Sequence, residues 1–203
     1  DTTQIKQCNK QWRYIDPNKV TSVTFSKQKT AFFNLSKKNG KIEQRTDNED
    51  RIKCKQNFVE YLEELKEKNK SVKGKRCQLY DFVKDAIHYS NYSDDDEQVK
   101  LMIDTINSQW DNHSKLNSAL NNMIPLVDTS GSMETDNCLP LYNAIGLGIR
   151  IAEKTTRTFR NRVMTFTSVP EWINLDDCPT FCDKVNKVRK APWGMNTNIY
   201  SAC

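Results

Sequence analysis

Between Asp50 and Lys68 the apolar residues Ile52, Phe58, Val59, Leu62 and Leu65 share one stripe, and Glu and Lys fill the other side. That spacing predicts an amphipathic helix. Leu79, Tyr80, Phe82, Val83, Ala86 and Ile87 predict a second, with Gly74 breaking the chain between them. A third follows from Val99, Met102, Ile103, Ile106 and Trp110. Ser93 is its expected N-cap, and Asp94-Asp95-Asp96-Glu97 places carboxylates in its first turn, against the positive end of the helix dipole.

Beyond residue 118 the pattern changes. Met123 to Val127 is a short apolar run of strand length, although Pro125 lies inside it. Cys138 to Lys154 is apolar nearly all round, as expected of a helix packed on a sheet. Asn137 is placed to cap that helix, Pro140 falls in its first turn, and Ala144, Gly146, Gly148 and Ala152 would let it approach a sheet closely. Arg162–Thr167 and Glu171–Leu175 predict two more short strands, the second at an edge. Strand, helix, strand implies a parallel sheet with right-handed crossovers and ligands at the carboxyl ends of the strands. The expected fold class is therefore α/β over residues 119–203, preceded by an all-α helical region over residues 1–118.

Charge sharpens this division. Residues 1–93 hold 20 Lys and Arg against 12 Asp and Glu, whereas residues 101–203 hold 10 of each. The cations concentrate in Lys66, Lys68, Lys70, Lys73, Lys75 and Arg76, a run that is either a solvated loop or a phosphate-binding surface for structured RNA. Trp12, Tyr14, Phe25, Phe32 and Phe33 accompany it without a ribonucleoprotein motif. No apolar run approaches the length of a bilayer span, so no membrane partner is expected. The seven cysteines are odd in number and scattered, with no zinc spacing. They read as thiols of a reducing compartment, which predicts an intracellular, cytoplasmic protein, or a virion component if the source is viral.

The densest candidate chemistry is Asp128-Thr129-Ser130-Gly131-Ser132. Three oxygen donors follow the end of an apolar strand, a hard set that suits Mg²⁺, Mn²⁺ or Ca²⁺ and not zinc or copper. Gly131 is expected to let the loop turn back on itself. The same residues also suit a capped turn, since Asp and Ser bind local backbone.

With its preceding strand and following helix, this segment resembles the first motif of a metal-ion-dependent adhesion site (MIDAS) in a von Willebrand factor type A (VWA) domain. Gly194-Met195-Asn196-Thr197 resembles the second motif. The resemblance implies Ser130, Ser132 and Thr197 as direct metal ligands and Asp128 as a ligand mainly through water or a hydrogen bond. The family's last Asp comes from a later strand, which leads to the expectation that the chain is a fragment of a longer protein. Trp12-x-x-Ile15, Val20-x-Ser22-Val23, Ala31-Phe32, Phe58-x-x-Tyr61-Leu62 and Lys73-Gly74-Lys75 before Leu79-Tyr80-Asp81 extend the likeness, as does Trp193-Gly194-x-Asn196-Thr197. Together they resemble a family of plants, fungi and giant viruses in which a Ro-like (TROVE-like), RNA-binding helical region precedes a VWA-like domain.

Catalysis is not expected. The chain has no Gly-x-Ser-x-Gly elbow, no Gly-x-x-x-x-Gly-Lys loop and no His-Glu-x-x-His pair, and His88 and His113 read as surface or satisfied residues. The expectation is a binding protein whose divalent ion captures a protein ligand presenting Asp or Glu, with RNA on the basic helices. The alternative is a structural or assembly protein, such as a giant-virus virion component, that uses the fold without metal.

Overall fold

Helices α1 (Thr2–Cys8), α2 (Ser22–Phe32), α3 (Glu49–Glu67) and α5 (Glu97–Ser114) gather in one compact unit, Asp1–Cys77 with Tyr92–His113. Helix α4 (Leu79–Tyr89) lies between α3 and α5 in sequence, yet it belongs to a second unit, Gln78–Asn91 with Ser114–Cys203. The structure, a computed structural model, describes residues 2–93, 95–115, 120–166 and 170–191. It is a mixed α/β protein.

The first unit is built on stacked aromatic rings. Phe25 and Phe32 of α2, and Phe33 just after it, are buried against Phe58 of α3, and the Phe32 and Phe58 rings lie nearly parallel at 4.5 Å. Trp12 meets Phe32 edge-on, with the Arg51 guanidinium 3.6 Å over its indole. Asn48 caps α3 by accepting from the amides of Asp50 and Arg51. At α5 the cap is Asp96, whose carboxylate accepts from Gln98 N and Val99 N, and not the expected Ser93, whose hydroxyl accepts from Asp95 N. The carboxylate closer to the helix takes the amides.

This unit is not all-α as expected. Strands β1 (Leu35–Lys38) and β2 (Lys41–Gln44) form an antiparallel hairpin closed by Lys38 opposite Lys41. Asn39 and Gly40, between them, both have positive φ (49° and 76°), which the tightest hairpin turns require. Only Leu35 and Ile42 are apolar, and both are buried. With one anchor per strand, the alternation was too weak to read as β.

The second unit contains a three-stranded sheet of β3 (Leu126–Asp128), β4 (Arg162–Phe166) and β5 (Trp172–Asn174), in that order. β3 and β4 run parallel, with Asp128 opposite Phe166, and α6 (Thr135–Lys154) connects them. β5 runs antiparallel to β4, so the described sheet is mixed and not wholly parallel. The short link from β4 to β5 permits only antiparallel return. Pro125 sits just ahead of β3, where its carbonyl accepts from Met164 N and its missing N–H costs no ladder bond.

Two glycines fit α6 between its neighbours. A Cβ on Gly148 would stand 2.4 Å from Val127 Cγ2 of β3, and one on Gly146 would stand 3.0 Å from Leu79 Cβ of α4. Two residues along a helix are about 200° apart, so one glycine faces the sheet and the other faces α4. Helix α7 (Phe181–Arg189) opens with a reciprocal Thr180–Asp183 capping box. Glu153 of α6 accepts from Arg150 at 3.1 Å and from Lys184 of α7 at 2.8 Å, an ion-paired cluster largely withdrawn from water.

Candidate functional site

At the carboxyl end of β3 the chain turns sharply. Asp128 Oδ1 accepts from Ser130 N at 2.8 Å, a side-chain-closed turn, and a single 3-10 turn over Gly131–Glu134 follows. Met133 N donates to Ser130 O within it. The hydroxyls of Ser130 and Ser132 are thereby brought to 2.9 Å, within hydrogen-bond distance. Ser130 is 5% exposed, whereas Ser132 is open to solvent. Thr129, between the donors, is buried, and its hydroxyl has no hydrogen-bond partner among the described residues.

The structure thus brings together Asp128, Ser130 and Ser132. Thr197, the expected fourth ligand, lies outside the described residues, as do Trp193, Gly194 and Asn196. All three donors are hard oxygens, and the two hydroxyls can be compared with the coordination shell of a hard cation. In an octahedral shell with metal–oxygen bonds of about 2.1 Å, neighbouring ligand oxygens stand about 3 Å apart, which is the spacing the two hydroxyls hold. The turn reading is also realised, since Asp128 Oδ1 is already engaged with Ser130 N. These uses are compatible: the backbone bond fixes the carboxylate and leaves Oδ2 outside it.

Two local expectations fail. Gly131 does not have a positive φ, and a Cβ there would meet nothing within 4 Å, so the turn does not depend on glycine. Asn137 does not cap α6. Asp136, Asn137 and Cys138 all adopt left-handed backbone (φ 50°, 58° and 63°), and regular helix begins only after them. Each left-handed residue costs about 1–2 kcal/mol in an L-chain, and nothing in the apolar pattern signals that cost.

The cationic run disperses. Lys66 pairs with Asp104 of α5 at 2.7 Å, and Lys68 pairs with Glu64 at 3.1 Å. Lys73 donates to the carbonyls of Asn18 and Val20. Lys70, Lys75 and Arg76 are exposed and form no ion pair among the described residues. Gly74 does more than break a helix: a Cβ on it would stand 2.0 Å from the carbonyl oxygen of Gln109, and its amide donates to Asn112 Oδ1. Phe25, Phe32 and Phe33 belong to the core and are closed to base stacking, while Tyr14 is 64% exposed.

Other candidate chemistry is quiet. His88 is exposed beside Tyr89, and His113 stacks on Trp110. Among the described residues no three His, Cys, Asp or Glu side chains form a metal-binding group. Cys8, Cys54, Cys77, Cys138, Cys178 and Cys182 are free thiols, and burial pushes the Cys54 thiol up to about 12. No helix among the described residues is long and apolar enough to cross a membrane.

Residues 122–202 match the family model of a domain of unknown function, DUF7788. The matched stretch begins just before β3 and spans the hydroxyl-rich loop. Across 194 residues, or 94% of its length, the chain is 33% identical to the uncharacterised protein L728 of Acanthamoeba polyphaga mimivirus. It spans 31% of that relative's own length. No solved structure matches the chain.

Proposed function

We propose that the chain is part of a non-enzymatic binding protein with a MIDAS-like, divalent-metal-dependent ligand site on an incomplete VWA-like sheet. The observation that carries this reading is the 2.9 Å approach of the Ser130 and Ser132 hydroxyls beside Asp128, at the carboxyl end of a strand whose helix leads to a parallel neighbour. Ligands of open α/β sheets gather at that end of the strands. Asp128, Ser130 and Ser132 would hold Mg²⁺, Mn²⁺ or Ca²⁺, with Thr197 supplied by the resemblance. A bound ion would offer an unfilled position to an Asp or Glu of a protein ligand, and the protein's part is to hold the hydroxyls in register and fix the carboxylate.

Structured RNA on the basic helices belongs to the same Ro-like reading. Its candidates would be Lys70, Lys75 and Arg76, the cations of the run with no ion pair or carbonyl partner among the described residues. The giant-virus relative favours a second reading, a structural or virion component that uses the fold without metal. Mn²⁺ titration followed by electron paramagnetic resonance separates the two. The metal reading expects saturable binding that weakens by about tenfold or more in an Asp128→Ala, Ser130→Ala double variant, as loss of two ligands demands. Equal binding by both proteins, or none by either, rejects it.

A further inference from the structure

We propose that an open pocket of about 370 Å³ in the first unit, formed by Thr21, Ser22, Lys73, Lys75, Arg76 and Asn112, binds a phosphate group. Its lining contains three cations and no carboxylate. The pocket sits at the N-terminus of α2, where Thr21 Oγ1 accepts from Thr24 N and Thr21 O accepts from Phe25 N. The first-turn amides of Ser22 and Val23 lie outside those bonds, and helix N-termini favour anions through such amides and the helix dipole.

A second observation is independent of the helix end. Ser22 is more than nine-tenths buried, lines the pocket, and its hydroxyl makes no hydrogen bond among the described residues. The hydroxyl oxygen itself is not sealed from solvent, so it is free to donate to an acceptor in the pocket. Asn112 already accepts from Gly74 N through its oxygen, which leaves its NH₂ as a donor. Lys75 and Arg76 have no ion-pair partner among the described residues, so their charge is available. Lys73 is held at the rim by the carbonyls of Asn18 and Val20, which fix its ammonium without neutralising it. Everything left unengaged is a donor or a cation, the complement of a tetrahedral oxyanion.

This site is separate from the metal reading and stands whether or not RNA binds. The phosphate is either a free phosphomonoester or one unit of an RNA backbone, and the chemistry is shared. The test is calorimetric titration of the full chain with inorganic phosphate. Saturable one-to-one binding is expected, weakened about tenfold by Arg76→Ala or Lys75→Ala and about threefold by Ser22→Ala, as expected for single hydrogen bonds to a charged ligand. Lys68→Ala, outside the pocket, should leave it unchanged. Absence of saturation, or equal loss in Lys68→Ala and Arg76→Ala, overturns the proposal, the latter because it would indicate only diffuse attraction. Arg76→Lys, which keeps the charge and loses the fork, serves if Arg76→Ala fails to fold and should be weakened less. A second titration uses a structured RNA. Displacement of that RNA by phosphate, with matching losses in the pocket variants, assigns the phosphate to an RNA backbone; phosphate binding without any effect on RNA assigns it to a free ligand. Either result supports the pocket.

Discussion

In the connection after β3, Asp128 accepts from the backbone amide of Ser130 at 2.8 Å, and the hydroxyls of Ser130 and Ser132 meet at 2.9 Å. From the last turn of α3 through the connection that follows, six cations between residues 66 and 76 spread apart, two to carboxylates and one to carbonyls, and only part of the run meets again in one pocket. The difference is one of reach. Asp and Ser are short, so a tight turn forces spaced donors together. Lysine stems are long and exposed, so their ammoniums follow whichever acids neighbouring helices supply. Proximity along the chain therefore means convergence in the first connection and little in the second.

Two carboxylates repeat the contrast. Asp50 accepts from Trp12 N at 2.7 Å, Arg13 N at 3.0 Å and Arg13 Nε at 3.1 Å, so both of its oxygens are engaged. Asp128 accepts a single backbone bond through one oxygen. The first carboxylate is structural, and the second retains capacity for a ligand.

The largest expected effect tests how the cationic connection is seated. Gly74→Ala drives a Cβ into the Gln109 carbonyl, and a loss of about 3 kcal/mol is expected by urea denaturation, at the upper end for overpacking. A neutral result would mean that α5 yields easily and that the pocket above it is not fixed. Gly148→Ala should cost about 2 kcal/mol, because Val127 is buried and must move from α6. If the proposed metal site is present, that variant should also disturb it through Asp128, one residue on, which a Mn²⁺ titration would register.

Asp50 adds a pH dependence. Burial opposes its ionisation, but the amides of Arg13 and Trp12 and the Arg13 guanidinium outweigh burial and hold the carboxyl below its ordinary value. A carboxyl depressed on folding contributes stability that is fully present above its unfolded pKa of about 3.9 and is lost as pH falls through the folded value. Asp50→Asn should therefore flatten the acid limb of a urea-midpoint profile below about pH 4; parallel limbs would show that the three donors add nothing. The smallest effects are expected for Gly131→Ala, which meets open space, and Lys68→Ala, which breaks an exposed pair. Each should stay within about 0.5 kcal/mol by thermal melting. A large loss at Gly131 would mean that the hydroxyl-rich turn needs glycine after all.

Much of the fold was legible because long amphipathic periods state their own structure. The stripes of α3, α4 and α5 lie where the apolar residues place them, and the strand, helix and strand of β3, α6 and β4 follow their pattern. The hairpin at Asn39-Gly40 was readable only from its turn, since its strands offer one anchor each. The Thr180-x-x-Asp183 capping box was an overlooked local signal for α7. The site was legible in part: residues 128, 130 and 132 converge, and Thr197 lies outside the described residues.

The chain by itself determined the long amphipathic helices α3, α4 and α5, the β3–α6–β4 succession, and that three hard oxygen donors would crowd one turn, because periodicity and short-range hydrogen bonding act over a few residues. Tertiary structure decided the rest. It assigned α4 to the second unit, returned β5 antiparallel, gave Lys66 its carboxylate from α5, and brought Ser22 to Lys75 and Arg76 across fifty residues. Those outcomes depend on which surfaces bury one another, and that competition among distant segments leaves no local mark on the sequence.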